Sequence, residues 1–174
     1  MSVSPLGEIR PAVAADAAMI RGLVRRAYAK WVPVIGREPL PMRADYRRAV
    51  REHRIDLLYL DARMVGLIEM IAHADHLFIE NVAIAPERQG QGLGRRLLVH
   101  AEQTALTAGR AEIRLLTNAA FAANVALYKA LDYRVDREEP FMGGVTVHMS
   151  KTLGAARRDR GAIRQCDAAG RGSA

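Results

Sequence analysis

The chain is poor in cysteine. Its single cysteine, Cys166, excludes an intrachain disulfide. No Cys/His cluster has the spacing of a zinc site, so no metal is expected. A near absence of cysteine fits a reducing compartment. No stretch approaches the roughly 20 apolar residues of a membrane span. The opening Met1-Ser2-Val3-Ser4-Pro5 lacks the basic and apolar segments of a secretory leader, so a cytoplasmic protein without membrane partners is expected. Aromatics make up 5% of the residues, and no basic run is interleaved with them. That argues against a single-strand nucleic-acid binder, and no docking motif for a duplex is recognisable.

What is present suits one folded domain. Half of the 174 residues are hydrophobic, 26% are charged, and the net charge is +7, carried mostly by arginine. The arginines are scattered, which describes a solvated surface, although a basic balance also suits an anionic ligand. Residues 1–153 carry the periodic segments. Residues 154–174 are rich in Gly, Ala and Arg, have no apolar period, and are expected to form a disordered tail.

The pattern predicts strands at Glu8–Ala12, Leu57–Leu60, Val65–Ala72, Leu77–Ala85, Glu112–Thr117, Tyr133–Arg137 and Val145–Thr152. It predicts helices at Ala17–Ala29, capped by Asp16, and at Arg43–His53, 93–108 and Ala122–Leu131. The third of these has the stripe Leu93, Leu97, Leu98, Ala101 and Ala105, and ends at Gly109. The strand–helix–strand unit over 77–117 requires a parallel pair, whereas the other strands follow as hairpin partners. The fold class is therefore α/β with a mixed sheet. Trp31 to Met42 is expected to be a loop: Pro33, Gly36, Pro39 and Pro41 break the period, yet Trp31, Val34 and Ile35 remain to pack.

The strongest local signal is Arg88-Gln89-Gly90-Gln91-Gly92-Leu93-Gly94 between a strand and a helix. Glycines permit φ > 0 and close approach of a ligand to the backbone. The first N–H groups of the helix lack intrahelical partners and sit at its positive end, so the turn is an anion site, with Arg88, Arg95 and Arg96 adding charge. A dinucleotide loop would need a third glycine where Arg95 stands, and a Walker loop would need Gly-Lys-Ser/Thr. A ligand-free glycine turn remains open on spacing alone. Asn124 and Tyr128, four apart, share a helix face; taken alone they are better read as a surface residue and a core residue.

The stretch Asn81 to Leu98 resembles the acetyl-CoA-binding motif of the GCN5-related N-acetyltransferase (GNAT) superfamily, Gln/Arg-x-x-Gly-x-Gly/Ala, matched by Gln89, Gly92 and Gly94. Asn124 to Tyr133 resembles its second coenzyme motif, with Asp132 where the family usually has glycine. The resemblance spans residues 8–152 in element order, and Val32–Arg37 and Leu115–Asn118 are similar to a bacterial subgroup. It implies the GNAT fold, a mostly antiparallel sheet splayed at its one parallel pair. It implies acetyl transfer from acetyl-CoA to a small-molecule or peptide amine by direct attack. Val82, Ala83 and Ile84 would offer backbone to pantetheine. Gln89, Gly90, Gln91, Gly92, Leu93 and Gly94 would hold the pyrophosphate, with Arg95 beside them. Asn124 would bond the coenzyme, and Tyr128 would protonate the leaving thiolate. A glutamate on this strand often serves as base, which points to Glu80; Glu69, His73 and His76 are weaker candidates. Trp31, Ile35 and Arg37 would line the acceptor site, with Trp31 as a plain core anchor the competing reading. A non-catalytic acyl-CoA-binding module on the same fold is the alternative function, and a homodimer is left open.

Overall fold

The computed structural model describes residues 7–154; the expected tail lies, from residue 155 on and with Cys166, outside the described residues. The strands are β1 (Glu8–Pro11), β2 (Arg54–Leu60), β3 (Arg63–Ala72), β4 (Leu77–Ile84), β5 (Glu112–Asn118), β6 (Arg134–Phe141) and β7 (Gly144–Thr152). The helices are α1 (Ala17–Tyr28), α2 (Val32–Ile35), α3 (Leu40–Arg43), α4 (Tyr46–Glu52), α5 (Leu93–Thr107) and α6 (Ala122–Lys129). The strands form one seven-stranded sheet in the order β1-β2-β3-β4-β5-β7-β6. Only β4 and β5 pair in parallel.

The central strands carry mostly apolar residues on both sides because both sheet faces are covered, with Asp56, Glu69 and Asn81 as buried polar exceptions. Leu57 and Leu67 join Ile20, Leu23 and Val24 of α1 on one face. Their neighbours Leu58 and Ile68 join Leu97, Leu98 and Ala101 of α5 on the other. Each such side chain contributes roughly 1.5–3 kcal/mol by leaving water. The α5 stripe read from the sequence is the buried one, and Gly109 follows its end at φ 70°.

The structure corrects the expected elements in several places, among them β6, which runs on to Phe141 past the expected Arg137, and α4, which starts at Tyr46 and not at Arg43. Strand β2 starts at Arg54, three residues early, because its buried Asp56 is paired: it accepts from His100 at 2.7 Å and Arg54 at 3.0 Å. The segment after Trp31 is not a loop throughout but contains the one-turn helices α2 and α3. Pro33 and Pro41 sit in their first turns, where a missing N–H costs nothing. Asp16 does not cap α1; its carboxylate accepts from the Val13 N–H at 2.8 Å and from Arg10. Asp45 caps α4 instead, accepting from the N–H groups of Arg47 and Arg48.

Asp132 ends the α6 turn at φ 65°, a left-handed conformation that favours glycine. Asp132→Gly should therefore raise stability by about 0.5–1 kcal/mol in urea unfolding. An unchanged or lower midpoint would show that the aspartate side chain offsets the backbone cost.

Candidate active site

The site arises where the sheet comes apart. The β4–β5 ladder holds only at Leu77↔Ile113, Phe78↔Arg114 and Ile79↔Leu115. Beyond Ile79 the two strands diverge. On its other edge β4 stays paired to β3, but the register jumps from Met70↔Ile79 to Glu69↔Asn81. Glu80 is thus the extra residue of a bulge, a feature that bends a strand and re-aims its side chains. Two clefts meet in the resulting wedge. Tyr28, Val82, Asn124 and Tyr128 line both.

The first cleft, about 380 Å³, runs along Val82, Ala83 and Ile84 to Gln89, Gly90 and Gly92 and the start of α5. Gly90 and Gly92 take φ of 75° and 78°, and open space surrounds the position a Cβ would occupy at each. Gly92 precedes the first turn of α5 with no side chain capping it, so the N–H groups of that turn face the cleft mouth. Leu93, Gly94, Arg88 and Arg95 line the same cleft, and Gln91 does not. A Cβ on Gly94 would lie 3.6 Å from Leu127, so α5 and α6 approach closely there. Arg96, expected to add charge at the turn, reaches away to the Gly7 carbonyl at 2.9 Å. Gln89 is held by Lys30 and donates to the Ile84 carbonyl.

The second cleft, about 250 Å³, takes Ile35, Arg37 and Pro41 from the segment between α1 and α4, Phe78 and Glu80 from β4, and Leu116 and Phe141 from the β5 side. Ile35 and Arg37 thus share this cleft with Glu80 and Tyr128. Trp31, assigned to the same wall from sequence, lines the first cleft instead and stacks on Phe121 with ring centres 4.4 Å apart.

Tyr128 is 8% exposed, and its hydroxyl makes no hydrogen bond among the described residues. Burial pushes its phenol up to about 12, so it holds its proton at neutral pH. Glu80 is exposed and lines the second cleft. Behind it lies a polar network absent from the sequence reading. Tyr28 donates to Asn81 Oδ1 at 2.7 Å, Asn81 Nδ2 donates to the Tyr46 hydroxyl at 3.2 Å, and that hydroxyl donates to the Pro41 carbonyl at 2.9 Å. Burial pushes the Tyr28 and Tyr46 phenols up, and nearby carboxylates add to it. Glu69, 3% exposed, sits 2.6 Å from His53 Nδ1. Burial pushes its carboxyl up, partly countered by His53. Glu69 and His53 line a third cavity that shares Glu80 and Asn81 with the second. The signal for Tyr28 was its place at the end of the α1 stripe. His53 and Glu69 are 16 residues apart and gave none. His73 and His76 stack on each other at the β3–β4 turn and line neither cleft. Among the described residues no three His, Cys, Asp or Glu side chains are grouped to hold a metal ion.

A family model described as "Acetyltransferase (GNAT) family" matches residues 20–133. No curated protein sequence matches the chain significantly. Among solved structures, PaiA N-acetyltransferase from Thermoplasma acidophilum in complex with coenzyme A superposes with a TM-score of 0.73 at 18% identity, over 84% of this chain and 98% of that one. The ribosomal-protein-S18-alanine N-acetyltransferase from Escherichia coli gives 0.68 at 21% identity, over 88% and 97%. A GNAT family acetyltransferase from Elizabethkingia anophelis with acetyl-CoA bound gives 0.65 at 14% identity, over 86% and 100%. At these identities the likeness concerns the fold.

Proposed function

The chain belongs to the GNAT acetyltransferase family, and from that membership we propose that it transfers an acetyl group from acetyl-CoA to a primary amine by direct attack in a ternary complex. The observation that carries this is that two clefts share Tyr128 in their lining. One cleft ends at a helix start suited to a pyrophosphate, and the other presents Glu80. In this reading Val82, Ala83 and Ile84 offer main chain to the pantetheine arm, and Asn124, which lines the same cleft, bonds the coenzyme.

The amine enters mostly as an ammonium ion and must lose a proton before it can attack. Glu80 takes that proton, directly or through water. The nitrogen then adds to the thioester carbonyl. As the carbon–sulfur bond breaks, Tyr128 protonates the departing sulfur, and the second proton leaving the nitrogen restores the phenol. The products are the N-acetyl amine, the free thiol and one proton released to solvent. A module that only bound acyl-CoA would not need an unpartnered phenol in that place.

Thiol release from acetyl-CoA over an amine panel tests the reading, and coenzyme binding without acetylation of any amine would sink it. Glu80→Gln should lower turnover about tenfold at pH 7 and less at pH 10, where more of the amine is already neutral. An equal loss at both pH values would remove Glu80 from proton transfer.

A further inference from the structure

Two opposite charges face the acceptor cleft without meeting each other. Arg37 enters it from the turn after α2. Among the described residues its Nε is buried with no acceptor, and its guanidinium makes one long contact, 3.5 Å, to the Glu38 carbonyl. Neighbouring carboxylates are engaged elsewhere: Glu38 with Arg25 at 2.8 Å, and Glu139 with His148 at 2.7 Å. Glu80 enters from the β4 bulge and has no hydrogen bond or ion pair among the described residues. The surfaces sharing the cleft with them are largely apolar, from Ile35, Phe78, Leu116 and Phe141.

A buried guanidinium N–H without an acceptor is uncommon in a folded protein. The Nε is closed to solvent, but Arg37 as a whole is only half-buried in the cleft wall, so its terminal nitrogens are the ones a ligand oxygen can reach, and arginine matches a carboxylate in charge and in fork geometry. Building on the acetyl-transfer reading above, we propose that the acceptor is an α-amino acid with an apolar side chain. Its carboxylate pairs with Arg37, its ammonium group enters beside Glu80, and its side chain lies on the apolar wall. Acetylation turns the ammonium into a neutral amide. The product therefore loses its attraction to Glu80 while keeping its bond to Arg37, which favours its release over that of unreacted amino acid.

Matched acceptors test this. Leucine, leucinamide and isopentylamine share the side chain and differ in the carboxylate, and phenylalanine gives a second such set. In thiol-release assays the wild type should use leucine at least about tenfold better, by kcat/KM, than either analogue without the carboxylate. The amide has the more readily deprotonated amine, so its intrinsic reactivity works against this outcome. Arg37→Gln should bring the ratio to within about twofold, Arg37→Lys should retain part of it, and acetyl-CoA affinity by calorimetry should not move. Equal use of the three acceptors by the wild type, or a preference that survives Arg37→Gln, overturns the proposal. If acetyl-CoA binds but none of the twenty amino acids is consumed, the proposal falls while the coenzyme site stands. If acetyl-CoA itself does not bind, the acetyl-transfer reading falls first.

Discussion

Replacing Tyr128 by Phe should cut turnover by ~10²–10⁴-fold and leave acetyl-CoA affinity within about a factor of two. The substitution removes one oxygen from a buried ring, and that hydroxyl bonds to no protein group among the described residues. Deleting a buried hydroxyl usually costs about 1 kcal/mol through the lost hydrogen bond. With no bond to lose, the thermal midpoint should hardly change. The phenol's contribution appears as sulfur takes on negative charge, so it concerns the transition state and not the bound coenzyme. Because burial holds this phenol near 12, its ionisation should not shape the rate profile between about pH 6 and 10. Stopped-flow acetyl transfer and calorimetry on the same variant separate the two quantities. A matching loss in both would make Tyr128 a binding residue.

Gly92→Val should weaken acetyl-CoA binding by ~30-fold or more, equivalent to about 2 kcal/mol. A β-branched residue at φ 78° is strained, so the turn must shift, and the new side chain occupies the open mouth in front of the α5 N–H groups. Strain alone could lower stability without touching the ligand. Gly109→Val supplies the comparison: φ there is 70°, a Cβ also meets open space, and the residue lies past the opposite end of α5. Both variants should unfold at lower temperature, but only the first should lose affinity. Equal affinities in the two would mean that the coenzyme does not seat at this turn.

The legible parts of this molecule are those written within one or two turns of chain. The α5 stripe, the glycine turn before it and the Asn124–Tyr128 spacing are local, and each lies where the sequence puts it. The wedge was implied by the family resemblance but not by the residues themselves, because it depends on where β4 stops pairing with a strand more than 30 residues away. The bulge at Glu80 has no glycine to mark it. Prolines hid α2 and α3, since a residue that ends one helix also starts another. Trp31 could be read as an apolar wall, but its face depended on Phe121, 90 residues on. The resemblance to a family supplied the chemistry of Glu80 and Tyr128 and put Arg37 in the acceptor wall, yet nothing in it said what Arg37 would bind.

The divergence of β4 and β5 also divides how the two substrates are remembered by the gene. Past Ile79, the wedge-facing edge of β4 has no strand partner, though the Gln89 side chain reaches the Ile84 carbonyl and the Tyr28 hydroxyl lies 3.4 Å from that of Val82. What binds there is held by peptide groups that every residue except proline supplies alike, so most substitutions in β4 leave that recognition intact. The opposite cleft is built of side chains on a short, proline-held segment, and there one codon can replace an arginine or an isoleucine. If the coenzyme lies along β4 and the amine in the opposite cleft, as proposed above, mutation can exchange the acceptor while the donor stays fixed, and the wedge is the boundary between an inherited half and an adjustable one.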